Sequence, residues 1–251
     1  MEIHLLGTAG YHPNEARHTA CMMIPEAGVI LDAGTGFFRV RDWIQTPELH
    51  VFLSHTHLDH CVGLSFYIDV LHEKNVERVY VYGAADKLEA VKTQLFSDQL
   101  FPLPPNFEWV VIDPSQGEIG LGLPLDGRIT WCPLKHPGSS LGFRLEWDDS
   151  SLAYITDTTA NVEADYVAFI ERADLLIHEC NFTDGNEALA ERTGHSCLTP
   201  VAHVCAAAEV GRCVIVHFNP MANPETALDL NSVRTIYPSF KIGKDHMRLT
   251  F

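Results

Sequence analysis

The stretch LSHTHLDH, Leu53 to His60, sets three histidines and an aspartate within six positions at the end of the apolar run HVFLS. In extended backbone, residues two apart project to the same side, so His55 and His57 present both imidazoles together. Asp59 and His60 follow as the chain leaves the strand and enters a helix. Their side chains diverge from the first pair and reach a second position close by, which makes room for two adjacent metal ions. A lone histidine is ordinarily a packed or solvated side chain, but four ligand-type residues crowded at one strand end reverse that expectation. Imidazole with carboxylate suits zinc first, with manganese or iron behind it.

Further ligands are needed downstream, and they recur in one setting, the C-terminal end of an apolar run. His136 follows ITWCPLK, Asp157 follows LAYIT, and His217 lies within CVIVHF. Each is weak alone; the repetition carries the case. Short apolar, β-branched runs bounded by Gly, Pro or Asp predict twelve strands: EIHLL, ACMMI, GVILD, HVFLS, RVYVYG, EWVVI, ITWCPL, LGFRLEW, LAYIT, ADLLIH, CVIVHF and MRLTF. Helical patterns are expected near residues 61–73, 84–96, 161–172, 198–210 and 225–236. In the fourth, Thr199 is placed as the cap and Pro200 in the first turn, followed by a Val201, Val204, Cys205, Ala208 stripe, with Gly211 ending the helix. FSDQLFPLPPNF, residues 96–107, has three prolines and reads as a loop, either a wall or lid of the site or a packed surface segment. Many strands in mixed order with intervening helices predict two mixed sheets flanked by helices, an α/β chain in one domain spanning residues 1–251.

Composition narrows the partners. A net charge of −16 repels long nucleic acids unless a local basic patch or bound cations reverse it. No apolar stretch approaches the ~20 residues of a membrane span, and MEIHLLGTAG lacks a basic leader and an apolar core, so a soluble, cytoplasmic chain is expected. Seven cysteines without a C-x-x-C pair argue for reduced, mostly buried thiols rather than a disulfide framework or a cysteine zinc knuckle.

HTHLDH, then His136, ITDTT around Asp157 and VHFNP around His217 resemble the metal-binding motifs of the metallo-β-lactamase superfamily in their proper order. LLGTAG, VILDAGTG and KDHMRL resemble its terminal strands and turns, so the likeness covers nearly the whole chain. It implies the four-layer αββα sandwich of that fold and two divalent ions, zinc first. By that resemblance His55, His57 and His136 hold one ion, Asp59, His60 and His217 the other, and Asp157 bridges them. Asp32 is similar to a carboxylate that steadies the family's site; its alternative role is to turn the chain before Gly34.

GHSC at 194–197 and LLIHECNF at 175–182 are similar to two loops of the ribonuclease Z branch. An imidazole near the metals, oriented by a carboxylate, can protonate a departing oxygen, which makes His195 the candidate acid and Glu179 its partner. The alternative for His195 is to cap the following helix. His178 stays unassigned, because neighbours on a strand face opposite ways. Asp59 would also orient the attacking hydroxide between the ions, so the catalytic set reads Asp59, His195 and Glu179.

Two features depart from that branch. PNEARH has Glu15 where its motif has lysine and His18 where it has asparagine, and only twenty residues separate His136 from Asp157, where ribonuclease Z inserts a basic arm that grips tRNA. The expected activity is therefore a dinuclear zinc phosphodiesterase of small or short substrates. The alternatives are a tRNA 3′-processing endoribonuclease, a carbon-ester or lactone hydrolase, and a non-catalytic member that binds RNA or protein. No membrane partner is expected, and the oligomeric state is left open between monomer and homodimer.

Overall fold

The structure, a computed structural model, describes residues 1–120 and 126–251. Its strands are β1 Glu2–Gly7, β2 Cys21–Ile24, β3 Val29–Leu31, β4 Glu48–Phe52, β5 Arg78–Gly83, β6 Glu108–Val111, β7 Gly117–Gly120, β8 Arg128–Leu134, β9 Ser140–Trp147, β10 Ser150–Ile155, β11 Leu175–Glu179, β12 Cys213–Val216, β13 Phe240–Ile242 and β14 Arg248–Thr250. They form two seven-stranded sheets, ordered β14-β1-β2-β3-β4-β5-β6 and β13-β12-β11-β10-β9-β8-β7. All twelve predicted strands are present. β7 and β13 were not predicted: GEIG is half glycine, and the three residues FKI are too short to show a period. The chain divides into two compact units, each built on one sheet.

The first unit comprises Met1–Pro114 and Lys244–Thr250. β3 to β6 run parallel and β14, β1 and β2 antiparallel, so the sheet is mixed. Its helices are α1 Leu58–Cys61, α2 Tyr67–Leu71 and α3 Ala85–Ala90, with a nine-residue 3-10 helix over Thr35–Trp43. Leu49, Val51, Val79 and Val81 bury one face of β4 and β5 among Phe37, Val40, Leu64 and Leu88. Buried Phe52 and Tyr82 lie on the other face of these strands, and burial on both faces is why they read as unbroken apolar runs. The helix expected over 61–73 is interrupted by a 3-10 turn at Val62–Phe66, because the Gly63 amide donates to the Ala33 carbonyl instead of continuing the helical ladder. Residues 96–107 form the expected loop. Its Phe101 and Phe107 pack on Tyr67, whose hydroxyl donates to the Leu103 carbonyl, while Leu100 and Leu103 stay exposed.

Asp245 ties the two ends of this unit together. Its carboxylate accepts from the Thr8 hydroxyl, the His18 amide and the Arg39 guanidinium, and it is almost fully buried. Asp245→Ala strands the Arg39 charge without its carboxylate, and by analogy with other broken buried pairs is expected to cost about 3 kcal/mol. A urea midpoint equal to wild type would show that this contact contributes nothing.

The second unit comprises Ser115–Gly243 with Phe251. β7 to β10 run antiparallel and β10 to β13 parallel. Its helices are α4 Tyr166–Phe169, α5 Glu187–Thr193, α6 Leu198–Ala207, α7 Pro224–Ala227 and α8 Leu230–Val233. The predicted stripe of α6 is buried against Leu176, Ile215 and Ile170. Its cap is Cys197, not Thr199; the Thr199 hydroxyl and amide both bind the Asp184 carboxylate, and the helix ends at Ala207, ahead of Gly211. The helix expected over 161–172 contracts to α4, since the Asn161 side chain accepts the Glu163 amide and holds the first residues in a turn. The one expected over 225–236 splits where Leu228 is extended and Asp229 starts α8 by accepting the Asn231 amide.

All seven cysteines are thiols, six of them buried. Burial pushes the Cys61 and Cys132 thiols up to about 12, so they are inert as nucleophiles near neutrality. Among the described residues no helix is long and apolar enough to cross a membrane.

Candidate metal centre

In each sheet the parallel strands deliver polar side chains at their C-terminal ends, the edge where open α/β sheets bind ligands. Asp32 follows β3, and His55, His57, Asp59 and His60 follow β4. Asp157 follows β10, Glu179 ends β11 and His217 follows β12. His136 leaves β8 two residues past its end.

In the first unit the rings of His55 and His57 meet edge-on with centroids 4.6 Å apart, and His55 lies 4.2 Å from His60. The pair sits in the turn after β4 rather than in the strand itself, and Asp59 and His60 occupy the first turn of α1. Asp32, fully buried, accepts the Ser54 amide at 2.8 Å, the Ser54 hydroxyl at 2.9 Å and His60 Nδ1 at 2.9 Å. A carboxylate only accepts, so Nδ1 of His60 carries the proton and Nε2 the lone pair. The Ser54 hydroxyl, committed to Asp32, accepts from Nδ1 of His55 at 3.0 Å, which leaves Nε2 of His55 as its donor to an ion. Asp32 thus sets the tautomers of two histidines, and it turns the chain as well, with φ +57°. Ser54 is the link that sequence reasoning missed, although it stands within the quoted stretch. Asp59 Oδ2 accepts the Tyr11 amide at 2.7 Å and lies 3.5 Å from His60 Nε2.

In the second unit Nδ1 of His136 donates to the Gly194 carbonyl at 2.9 Å, again leaving Nε2 unprotonated. Gly194 has φ +72°, and a Cβ there would fall 2.7 Å from that imidazole nitrogen, so only glycine fits. The two oxygens of Asp157 face different rings: Oδ2 is 3.6 Å from Nε2 of His136 and Oδ1 is 3.2 Å from Nε2 of His217. His217 is held in the left-handed region at φ +58°, a conformation that costs a β-carbon residue about 1–2 kcal/mol and tends to persist at functional positions. Asn181 Nδ2 donates to its carbonyl at 3.1 Å.

His195 Nδ1 donates to Glu179 Oε1 at 3.2 Å, and its ring stacks on His217 with centroids 5.4 Å apart. Asp157, His195 and His217 each bring a ligand atom within 4.8 Å of the others'. Glu179 is fully buried and also accepts the Thr158 and Asn181 amides, so backbone donors fix the carboxylate that orients His195. His195 does not cap α6; that place belongs to Cys197. His178 faces away from this cluster: Nδ1 donates to the Glu179 carbonyl, Nε2 accepts the Tyr166 hydroxyl, and burial lowers its pKa and keeps it neutral.

The donors fit divalent ions chemically. They are imidazoles and carboxylates, mostly buried, with ring tautomers fixed by partners on the far nitrogen, which is how metal-holding histidines are oriented.

Buried imidazoles and carboxylates gathered at strand ends are the groups that a metal-dependent hydrolase needs. Residues 28–218 match the beta-lactamase superfamily domain, and the chain belongs to that family. It is 24% identical over 310 aligned positions to a ribonuclease Z of Acaryochloris marina, an alignment that covers 98% of this chain and 96% of that one. Solved structures share the fold. A metallo-beta-lactamase fold protein, YhfI from Bacillus subtilis, superposes with a TM-score of 0.81 at 19% identity over 99% of both chains. The short form of human tRNase Z gives 0.74 at 19% identity, covering 100% of this chain and 99% of that one. A diphosphatase of the PhnP family gives 0.71 at 16%, covering 100% and 97%.

Proposed function

We propose that this chain is a dinuclear zinc phosphodiesterase of small or short phosphodiesters, with both units acting as a single hydrolase domain over residues 1–251. His55, His57 and His136 would hold one ion, Asp59, His60 and His217 the other, with Asp157 shared between them. The observation that carries the reading is the Asp157 carboxylate, whose two oxygens address two different imidazoles while the His195–Glu179 pair stands beside it. Two divalent ions held there would supply Lewis acidity, lowering the pKa of a nearby water toward ~7 and neutralising charge on the phosphoryl group.

The remaining steps fall to the chain. Asp59, anchored by the Tyr11 amide, orients the attacking oxygen. His195, its Nδ1 proton held by Glu179, acts in its imidazolium form: it gives the Nε2 proton to the departing oxygen and is left as the neutral imidazole.

Small substrates are favoured over tRNA for four reasons. The net charge of −16 opposes a polyanion. Glu15 stands where the related motif has lysine, and residues 137–156 are consumed by β9, β10 and a two-residue Asp148–Asp149 turn, which leaves no length for an RNA-gripping arm. The diphosphatase likeness points the same way. A tRNA 3′-processing activity is the second reading, favoured by the ribonuclease Z relative that aligns along nearly the whole chain.

The two separate in one comparison. The zinc-loaded chain is expected to hydrolyse bis(4-nitrophenyl) phosphate and to leave a 3′-extended tRNA precursor uncut at the same enzyme concentration. Accurate 3′ cleavage of the precursor would replace the small-substrate reading with the tRNA one, and hydrolysis of a lactone or carbon-ester panel alone would remove both.

A further inference from the structure

Among the described residues Tyr11 is the most exposed of the Phe, Tyr and Trp side chains, at 79%, and yet its backbone is held in place. It sits at the centre of a three-residue turn closed by the His12 amide on the Gly10 carbonyl at 2.8 Å, with φ +60°. That is the rarer, strained form of the γ-turn. The turn is held from several sides. Tyr11 N–H donates to Asp59 Oδ2, the Ala9 amide donates to the His18 carbonyl, and Asn14 closes the far end of the loop by accepting the Ala16 and Arg17 amides. Buried Arg17 then pins the loop to the Thr8 hydroxyl.

A strained turn that anchors a large apolar ring in water, one hydrogen bond from a proposed metal ligand, asks for an occupant of that ring. Leu58, between His57 and Asp59 in the chain, is likewise exposed, at 67%. The ring meets His12 at a steep angle, with 5.4 Å between centroids.

We infer that Tyr11 is a specificity-determining residue, a rigid platform on which the nucleobase of a nucleoside phosphodiester stacks while its phosphate lies at the Asp59 side of the metal centre. This rests on the phosphodiesterase reading and names its substrate class. A flat π-face stacks on any base, so the platform selects for a base without selecting which one. The backbone that carries the ring is already held by the turn and by Asp59, so little backbone freedom is lost on binding.

The experiment uses two diesters with one leaving group, thymidine 5′-(4-nitrophenyl) phosphate and ethyl 4-nitrophenyl phosphate. Alongside the kinetics, thymidine 5′-monophosphate and ethyl phosphate are titrated calorimetrically into the metal-loaded chain. Tyr11→Ala and Tyr11→Gly, the second compatible with the positive φ and so protecting against misfolding, should raise KM for the thymidine diester and Kd for the monophosphate by ~10-fold. The loss on the ethyl compounds should be at least fivefold smaller by our expectation, and Tyr11→Trp should restore thymidine binding.

Equal losses on both series would overturn the platform and place Tyr11 in support of Asp59. Wild-type binding of thymidine monophosphate no tighter than ethyl phosphate would overturn it too. If wild type hydrolyses neither diester, the phosphodiesterase reading fails, and the titrations alone decide Tyr11.

Discussion

Asp157→Ala is expected to abolish turnover of bis(4-nitrophenyl) phosphate, by at least ~10³-fold, and to take metal content with it. Its two oxygens address two different imidazoles, at 3.2 and 3.6 Å, and its side chain is 2% exposed. Removing it deletes a ligand from each proposed ion at once and leaves His136 and His217 without the anion between them. Asp157→Asn serves as the shape-matched control. It keeps the volume and the contact with the Thr156 hydroxyl at 3.1 Å, but loses the charge needed to balance two dications. Both variants are checked by elemental analysis together with kinetics. Two equivalents of zinc and undiminished turnover in Asp157→Ala would remove it from the centre.

The second large effect belongs to His195. His195→Ala should slow turnover by ~10²-fold or more where the leaving group is a basic alkoxide, because proton donation is worth that much when the departing oxygen needs it. With 4-nitrophenolate, which departs without a proton, the loss should shrink well below that. Metal content should stay at the wild-type level, since His195 is outside the proposed ligand set and its Nδ1 is engaged by Glu179. A loss of the same size with both leaving groups would make His195 a positioning residue rather than an acid.

The ligand-bearing segments were legible because each lies at the end of an apolar strand, where a run of Val, Ile and Leu stops and a histidine or aspartate begins. Strand identity needs only a few adjacent residues, and so do the turns that follow. What required the fold was anything depending on phase or distant partners. Where His178 points, left unassigned from the sequence, is decided by the register of β11 against β10 and β12, which one strand does not carry. The cap of α6 moved from Thr199 to Cys197 because Asp184, fifteen residues upstream, engages Thr199.

Helices suffered more than strands. Those expected over 61–73, 161–172 and 225–236 were cut by contacts of Gly63, Asn161 and Asp229 that no periodicity reveals. α5, by contrast, has its signal in EALAERT with Gly194 as terminator, although no helix was expected there. Asp32 shows that two readings of one residue need not exclude each other: it turns the chain and steadies His60, and it reaches His55 through Ser54.

The central claim, a two-ion hydrolytic centre, is tested most directly by the metal stoichiometry of the full chain. After growth with zinc and exhaustive dialysis, about two equivalents per chain are expected in wild type. Fewer than one equivalent of tightly held metal would contradict the account.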